Sequence, residues 1–135
     1  MSNDMEALII ESKGDTPKIY LDKLNNDFEI AGCSLPEDSN TFYKPVLEWL
    51  IAFEKDPLPA FIFNFKLEYF NTSSSKVFLD ILTILENIRK SGSDINIKWY
   101  YDEDDEDMEM AGEEYDNLID VPFELISVEV EDEDF

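Results

Sequence analysis

Between Ala60 and Asn71 the chain reads AFIFNFKLEYFN, in which Phe61, Phe63, Phe65, Leu67 and Tyr69 alternate with a mixed set containing Asn64, Lys66 and Glu68. A two-residue period places the first set on one face of a strand and predicts that this face is buried. From Ser75 the period changes. Val77, Phe78, Ile81, Leu82, Leu85 and Ile88 fall at helical spacing, and Gly92 in the following KSGSD is placed to end that helix. INIKWYYD then alternates again through Ile95, Ile97, Trp99 and Tyr101. Strand, helix and strand therefore make one crossover unit with a parallel pair, right-handed by the general rule.

Upstream, EALIIES and KIYLDKL are short apolar runs divided by the turn-forming KGDTP, which predicts an antiparallel hairpin, and DFEIAG adds a third strand. From Asn40 to Glu54, Phe42, Val46, Trp49, Leu50 and Phe53 recur at three- and four-residue steps and predict an amphipathic helix, with Pro45 in its first turns and DPLP stopping it. Downstream, Met108, Ala111, Tyr115, Leu118 and Ile119 mark a shorter third helix, and PFELISVEV a last strand. The fold class is α/β (α+β): a mixed sheet, an N-terminal hairpin, two main helices and a short third one. Such patterns fix element type and leave strand order open.

With 135 residues and 44% hydrophobic content the chain suits one globular domain spanning 1–135. The net charge of -23 argues against nucleic-acid phosphates and anionic membranes as partners and favours a partner that presents positive charge. No Lys or Arg follows Lys98, and about half of the acidic residues lie between Asp102 and Asp134. The last residues, about 131–135, read as a frayed acidic tail. Cys33 is the single cysteine, so no intramolecular disulfide forms, and neither a signal-peptide layout nor a membrane-length apolar run is visible. The expectation is a soluble cytoplasmic protein.

The junction between the alternating strand and the helix carries Thr72, Ser73, Ser74 and Ser75 in a row. One hydroxyl there is expected to cap the helix, since Ser and Thr satisfy an orphan amide at that position. Capping does not account for four. A phosphate-cradling loop lacks its glycines and its GK[ST] element. The remaining chemistry is that a hydroxyl itself receives a phosphoryl group, which the helix N-terminus would tolerate.

LEYFNTSSSK ahead of an apolar helix, followed by WYYDEDDEDMEMAGEEY and PFEL, resembles the SiaC-type regulatory phosphoproteins of bacteria. The resemblance runs from PKIYLD to PFEL. It implies a partner-switching module, similar in arrangement to anti-sigma-factor antagonists with STAS domains. In such a module a serine/threonine kinase of the histidine-kinase-like ATPase type phosphorylates a threonine, and a PP2C-type phosphatase removes the phosphate. The unphosphorylated form binds and activates a diguanylate cyclase and so controls cyclic di-GMP and biofilm growth. The matching threonine is Thr72, with Ser73 and Ser74 as alternatives. Phe70, Asn71, Thr72, Ser73 and Lys76 are expected to border the partner contact, and Lys76 follows Thr72 by about one helical turn.

The acidic run offers Asp102, Asp104, Glu106 and Glu113 at intervals reminiscent of a calcium loop, but Asp107 occupies the sixth position, where the sharp turn requires glycine. No metal and no cofactor are expected. The run reads as a solvated face or as a steering surface for a basic partner. The chain has no histidine to act as a base, and Cys33 has no partner for nucleophilic catalysis, so a non-enzyme is expected. The alternative to a switch is a constitutive acidic adaptor or nucleic-acid mimic that binds a basic protein through Asp102 to Asp107, with Thr72 only a cap.

Overall fold

The computed structural model describes residues 5–129, and the tail expected to fray lies outside them. Strands β1 (Leu8–Ile10), β2 (Lys18–Asp22), β3 (Asp27–Ser34), β4 (Ala60–Phe70), β5 (Asp94–Asp102) and β6 (Phe123–Val128) form one sheet in their sequence order. The first two pairings are antiparallel; β3 to β6 are parallel. The three parallel steps are bridged by helices α1 (Ser39–Glu54), α2 (Thr72–Lys90) and α3 (Glu106–Leu118). Each step moves to the next neighbour in the same direction, so right-handed crossovers place all three helices on one face.

That face holds the core. Phe28, Ile30, Phe63, Phe65, Ile97 and Trp99 from the strands are fully buried, as are Tyr43, Val46, Leu50 and Phe53 of α1 and Phe78, Ile81, Leu82, Leu85 and Ile88 of α2. Burial of each such side chain contributes about 1.5–3 kcal/mol, so the alternating and helical stripes carry most of the driving force. The opposite, helix-free face alternates with it and is mixed, exposing Ile9 and Ile62 beside charged residues, of which Lys18 and Lys66 converge on Glu29 at 3.3 and 3.2 Å. Gly92, at φ 126°, follows the last turn of α2 in the left-handed region, as its position in KSGSD predicts.

Two local departures from the expected pattern have clear causes. Gly32 pairs with Leu67 but Cys33 pairs with Tyr69, so Glu68 is an extra residue in β4, a bulge. The alternation flips across it: Tyr69, expected inside, is 59% exposed, while Phe70 turns inward onto Phe78 and Trp99 at 5.2 and 6.2 Å. In α3 the inward line runs through Met108, Gly112, Tyr115 and the C-cap Ile119, leaving Leu118 exposed. Gly112 is inward because α3 lies directly on the sheet there. A Cβ on it would stand 2.6 Å from both Leu125 Cδ2 and Trp99 Cδ1.

Candidate functional site

Parallel topology brings the starts of α1, α2 and α3 to one edge of the molecule, at the carboxyl ends of β3, β4 and β5. The hydroxyl junction occupies the middle of that edge. Contrary to the expectation that one of its hydroxyls caps α2, the cap is Asn71, whose Oδ1 accepts the N–H of Ser74 at 2.9 Å. Asn71 is itself anchored, its N–H donating to the Ser34 carbonyl at 3.0 Å. Thr72 therefore becomes the first residue of the helix.

The serines are occupied. Ser74 is fully buried; its Oγ donates to the Ser34 carbonyl at 3.1 Å and lies 2.8 Å from Ser34 Oγ, which is 2.6 Å from the Tyr43 hydroxyl. This chain of hydroxyls ties α2 to β3 and α1, and burial holds the Tyr43 phenol well above its ordinary pKa, so it stays a neutral hydrogen-bonding group. Ser73 Oγ is 2.6 Å from Ser39 Oγ at the start of α1 and donates to Asn71 Oδ1 at 3.2 Å. Ser75 Oγ donates back to the Thr72 carbonyl at 2.8 Å. Thr72 is exposed, and its hydroxyl has no hydrogen-bond partner among the described residues.

The neighbouring helix starts set the electrostatics. Asp38 caps α1, its Oδ1 and Oδ2 accepting Thr41 N and Thr41 Oγ1 at 3.2 and 2.8 Å, and the Thr41 hydroxyl foremost holds the carboxyl below its ordinary pKa. Asp105 caps α3 by accepting Met108 N at 3.0 Å, and Glu106, Asp107 and Glu109 fill that helix's first turn, where the dipole favours negative charge. The acidic run is thus a well-placed helix start with exposed carboxylates. Tyr115 joins this acidic helix to the junction by donating its hydroxyl to the Ser75 carbonyl at 2.8 Å.

Of the residues expected to border a partner, Thr72, Ser73 and Lys76 are exposed, Asn71 is partly buried as the cap, and Phe70 is partly buried against the core. Tyr69 is the exposed aromatic of this edge; only the bulge at Glu68 brings it out, and no periodicity signals that. Ser34, Ser39, Tyr43 and Tyr115, which lock the junction, come from distant segments and carry no local signal.

A model of the SiaC family of regulatory phosphoproteins matches residues 10–128, nearly the whole described fold and all of this edge. The chain belongs to the SiaC family. An uncharacterized protein of Pseudomonas aeruginosa (strain UCBPP-PA14) is 31% identical over 121 residues, covering 90% of this chain and 96% of that protein. SiaC of Pseudomonas aeruginosa superposes with a TM-score of 0.83 at 29% identity, over 92% of this chain and 100% of that one. SiaC in its crystal complex with the diguanylate cyclase SiaD, which it activates, superposes with a TM-score of 0.84 at 30% identity, over 90% and 99% of the two chains. The one-sided helical layer and the mixed six-stranded sheet are therefore the SiaC fold.

Proposed function

We propose that this chain is a non-catalytic regulator switched by phosphorylation of Thr72. In this reading the chain works in the cytoplasm: a cognate serine/threonine kinase modifies Thr72, a PP2C-type phosphatase restores it, and the unmodified form docks on and activates a diguanylate cyclase. The observation that carries the proposal is the division of labour at the junction: three serines are engaged in packing or hydrogen bonds, while Thr72 presents a free hydroxyl at the first helical position. The complex of the related SiaC with a diguanylate cyclase supports the choice of effector.

The physical chemistry of the switch follows from that position. A phosphoryl group brings roughly 1.5 to 2 negative charges and three acceptor oxygens. At the start of α2 it meets the unpaired N–H groups of the first turn and the positive end of the dipole, so the fold accepts it. A partner covering Tyr69 and Thr72 must instead strip water from it, at a cost of several kcal/mol unless the partner supplies a cation. Modification therefore dissociates the complex and leaves the domain folded.

The test is mass spectrometry of the protein co-expressed with its cognate kinase. One phosphate on Thr72, absent from Thr72→Ala, supports the proposal. A phosphate that persists in Thr72→Ala on Ser73 or Ser74 contradicts the assignment. Effector binding that ignores Thr72 and is abolished by neutralising Asp102 to Asp107 would instead identify an acidic adaptor.

A further inference from the structure

Strands β4 and β5 pair from Ala60 and Asp94 to Phe65 and Trp99, and their pairing stops there, although β4 continues to Phe70 and β5 to Asp102. Beyond that point β4 follows β3, ending with Ser34 opposite Phe70, and β5 follows β6, ending with Asp102 opposite Val128. The bulge at Glu68 follows just beyond the point where the two part, and a bulge bends its strand. The sheet is thus split at its carboxyl edge. A cleft of about 690 Å³ lies at the split, with Leu67, Tyr100, Tyr101 and Val128 supplying apolar wall.

The charge of this cleft is one-sided. Glu68, Asp102, Asp105 and Glu129 line it, and none of them has a salt-bridge partner among the described residues. The single cation of the lining, Lys66, is already held by Glu29 at 3.2 Å, with its ammonium 5.1 Å from the centre of the Tyr100 ring. Among the described residues no three acidic side chains converge as a metal-ligand set, so the chemistry is that of a dispersed carboxylate rim around aromatic and aliphatic wall.

We propose that this cleft seats a basic segment of a protein partner, one that presents arginine side chains. Arginine matches both halves of the lining. Its aliphatic stem and flat guanidinium lie against Tyr100 and Val128, which share the helix-free face, and its fixed fork of donors reaches the carboxylates at the rim. With its guanidinium groups committed to the rim carboxylates, the segment leaves no cation for a phosphate on Thr72, which lies past Asn71 at the end of the β4 wall. The inference deepens the switch reading and rests on it for the identity of the partner.

The experiment is a titration of the full chain, followed by amide chemical shifts, with a capped heptapeptide of alternating leucine and arginine and with its leucine–glutamate counterpart. The arginine peptide is expected to move amides in 66–70, 100–103 and 127–129, and the glutamate peptide to move none. Glu68→Gln combined with Asp102→Asn should weaken the arginine peptide about tenfold, while Glu113→Gln combined with Glu114→Gln, on the exposed side of α3, should change it less than about twofold. Both pairs remove the same charge, so equal losses, or shifts centred on α3, overturn the cleft. The same pairs are then assayed for binding of the unphosphorylated chain to the diguanylate cyclase of the same bacterium. Peptide binding lost only in the first pair, with cyclase binding unaffected by it, keeps the cleft and overturns the cyclase as its occupant.

Discussion

Asn71 Oδ1 accepts the backbone N–H of Ser74 at 2.9 Å, and this bond decides which hydroxyl of the junction stays free. With the cap supplied by an amide side chain, Thr72 is released from that duty. Asn71→Ala should cost about 1 kcal/mol, as the loss of a good cap does, whereas Asn71→Asp should hold stability by keeping an acceptor and adding charge at the positive end of α2. Urea unfolding of the three proteins checks this, and equal stability of the wild type and Asn71→Ala would contradict it.

Thr72 and Ser74 should separate function from folding. Ser74→Ala removes two buried bonds, to the Ser34 hydroxyl and to the Ser34 carbonyl, and leaves Ser34 held by Tyr43 alone, for a loss of about 1–3 kcal/mol. Thr72→Ala, at an exposed position with no side-chain bond, should stay within about 0.5 kcal/mol of wild type while abolishing phosphorylation. Thermal unfolding beside kinase labelling reads both effects.

Gly112 is fixed by packing. Its φ lies outside the left-handed region, so conformational freedom is not the reason for it; a Cβ would meet Trp99 and Leu125 at 2.6 Å. Gly112→Ala should destabilise by about 1–3 kcal/mol as α3 is pushed from the sheet. It should also alter the emission of Trp99, whose indole N–H donates to the Met108 carbonyl at 3.0 Å. An alanine variant of unchanged stability and spectrum would refute this.

Tyr115 gives the alkaline limb of stability a specific origin. Burial, foremost, pushes its phenol up to about 12 from 10.0. The folded state therefore holds this proton more tightly than the unfolded chain. Its contribution is complete below the unfolded value and is lost as pH rises from about 10 through about 12. Tyr115→Phe should cost about 0.5–1.5 kcal/mol at neutral pH by losing the bond to the Ser75 carbonyl, and should make the decline across that alkaline window shallower, the buried Tyr43 phenol supplying the part that remains. Urea midpoints measured from pH 7 to 12 test both parts.

Much of this was legible in the residues. The alternation at Phe61, Phe63 and Phe65 and the stripe from Val77 to Ile88 report burial directly, because core-facing positions repeat with the period of their own element. Tyr69 and Phe70 were not legible, since one extra residue inverts the faces of everything after it. Asn71 caps as well as any serine, but the four hydroxyl residues that follow it are candidates for the same role, and the residue types alone do not choose among them. The locking partners Ser34, Ser39 and Tyr43 are joined to the junction only by tertiary structure. Sheet order likewise depends on how consecutive crossovers fall, which periodicity does not encode.

In the proposed switch, one phosphate on Thr72 controls docking. That control is tested most directly by measuring the affinity of the same bacterium's diguanylate cyclase for the chain prepared wholly unmodified and wholly phosphorylated at Thr72. Tight binding and raised cyclase activity are expected with the first. With the second, affinity should fall at least about 100-fold, the equivalent of some 2.8 kcal/mol, with unfolding unchanged. Equal affinity of the two forms, or tighter binding of the phosphorylated one, would contradict it.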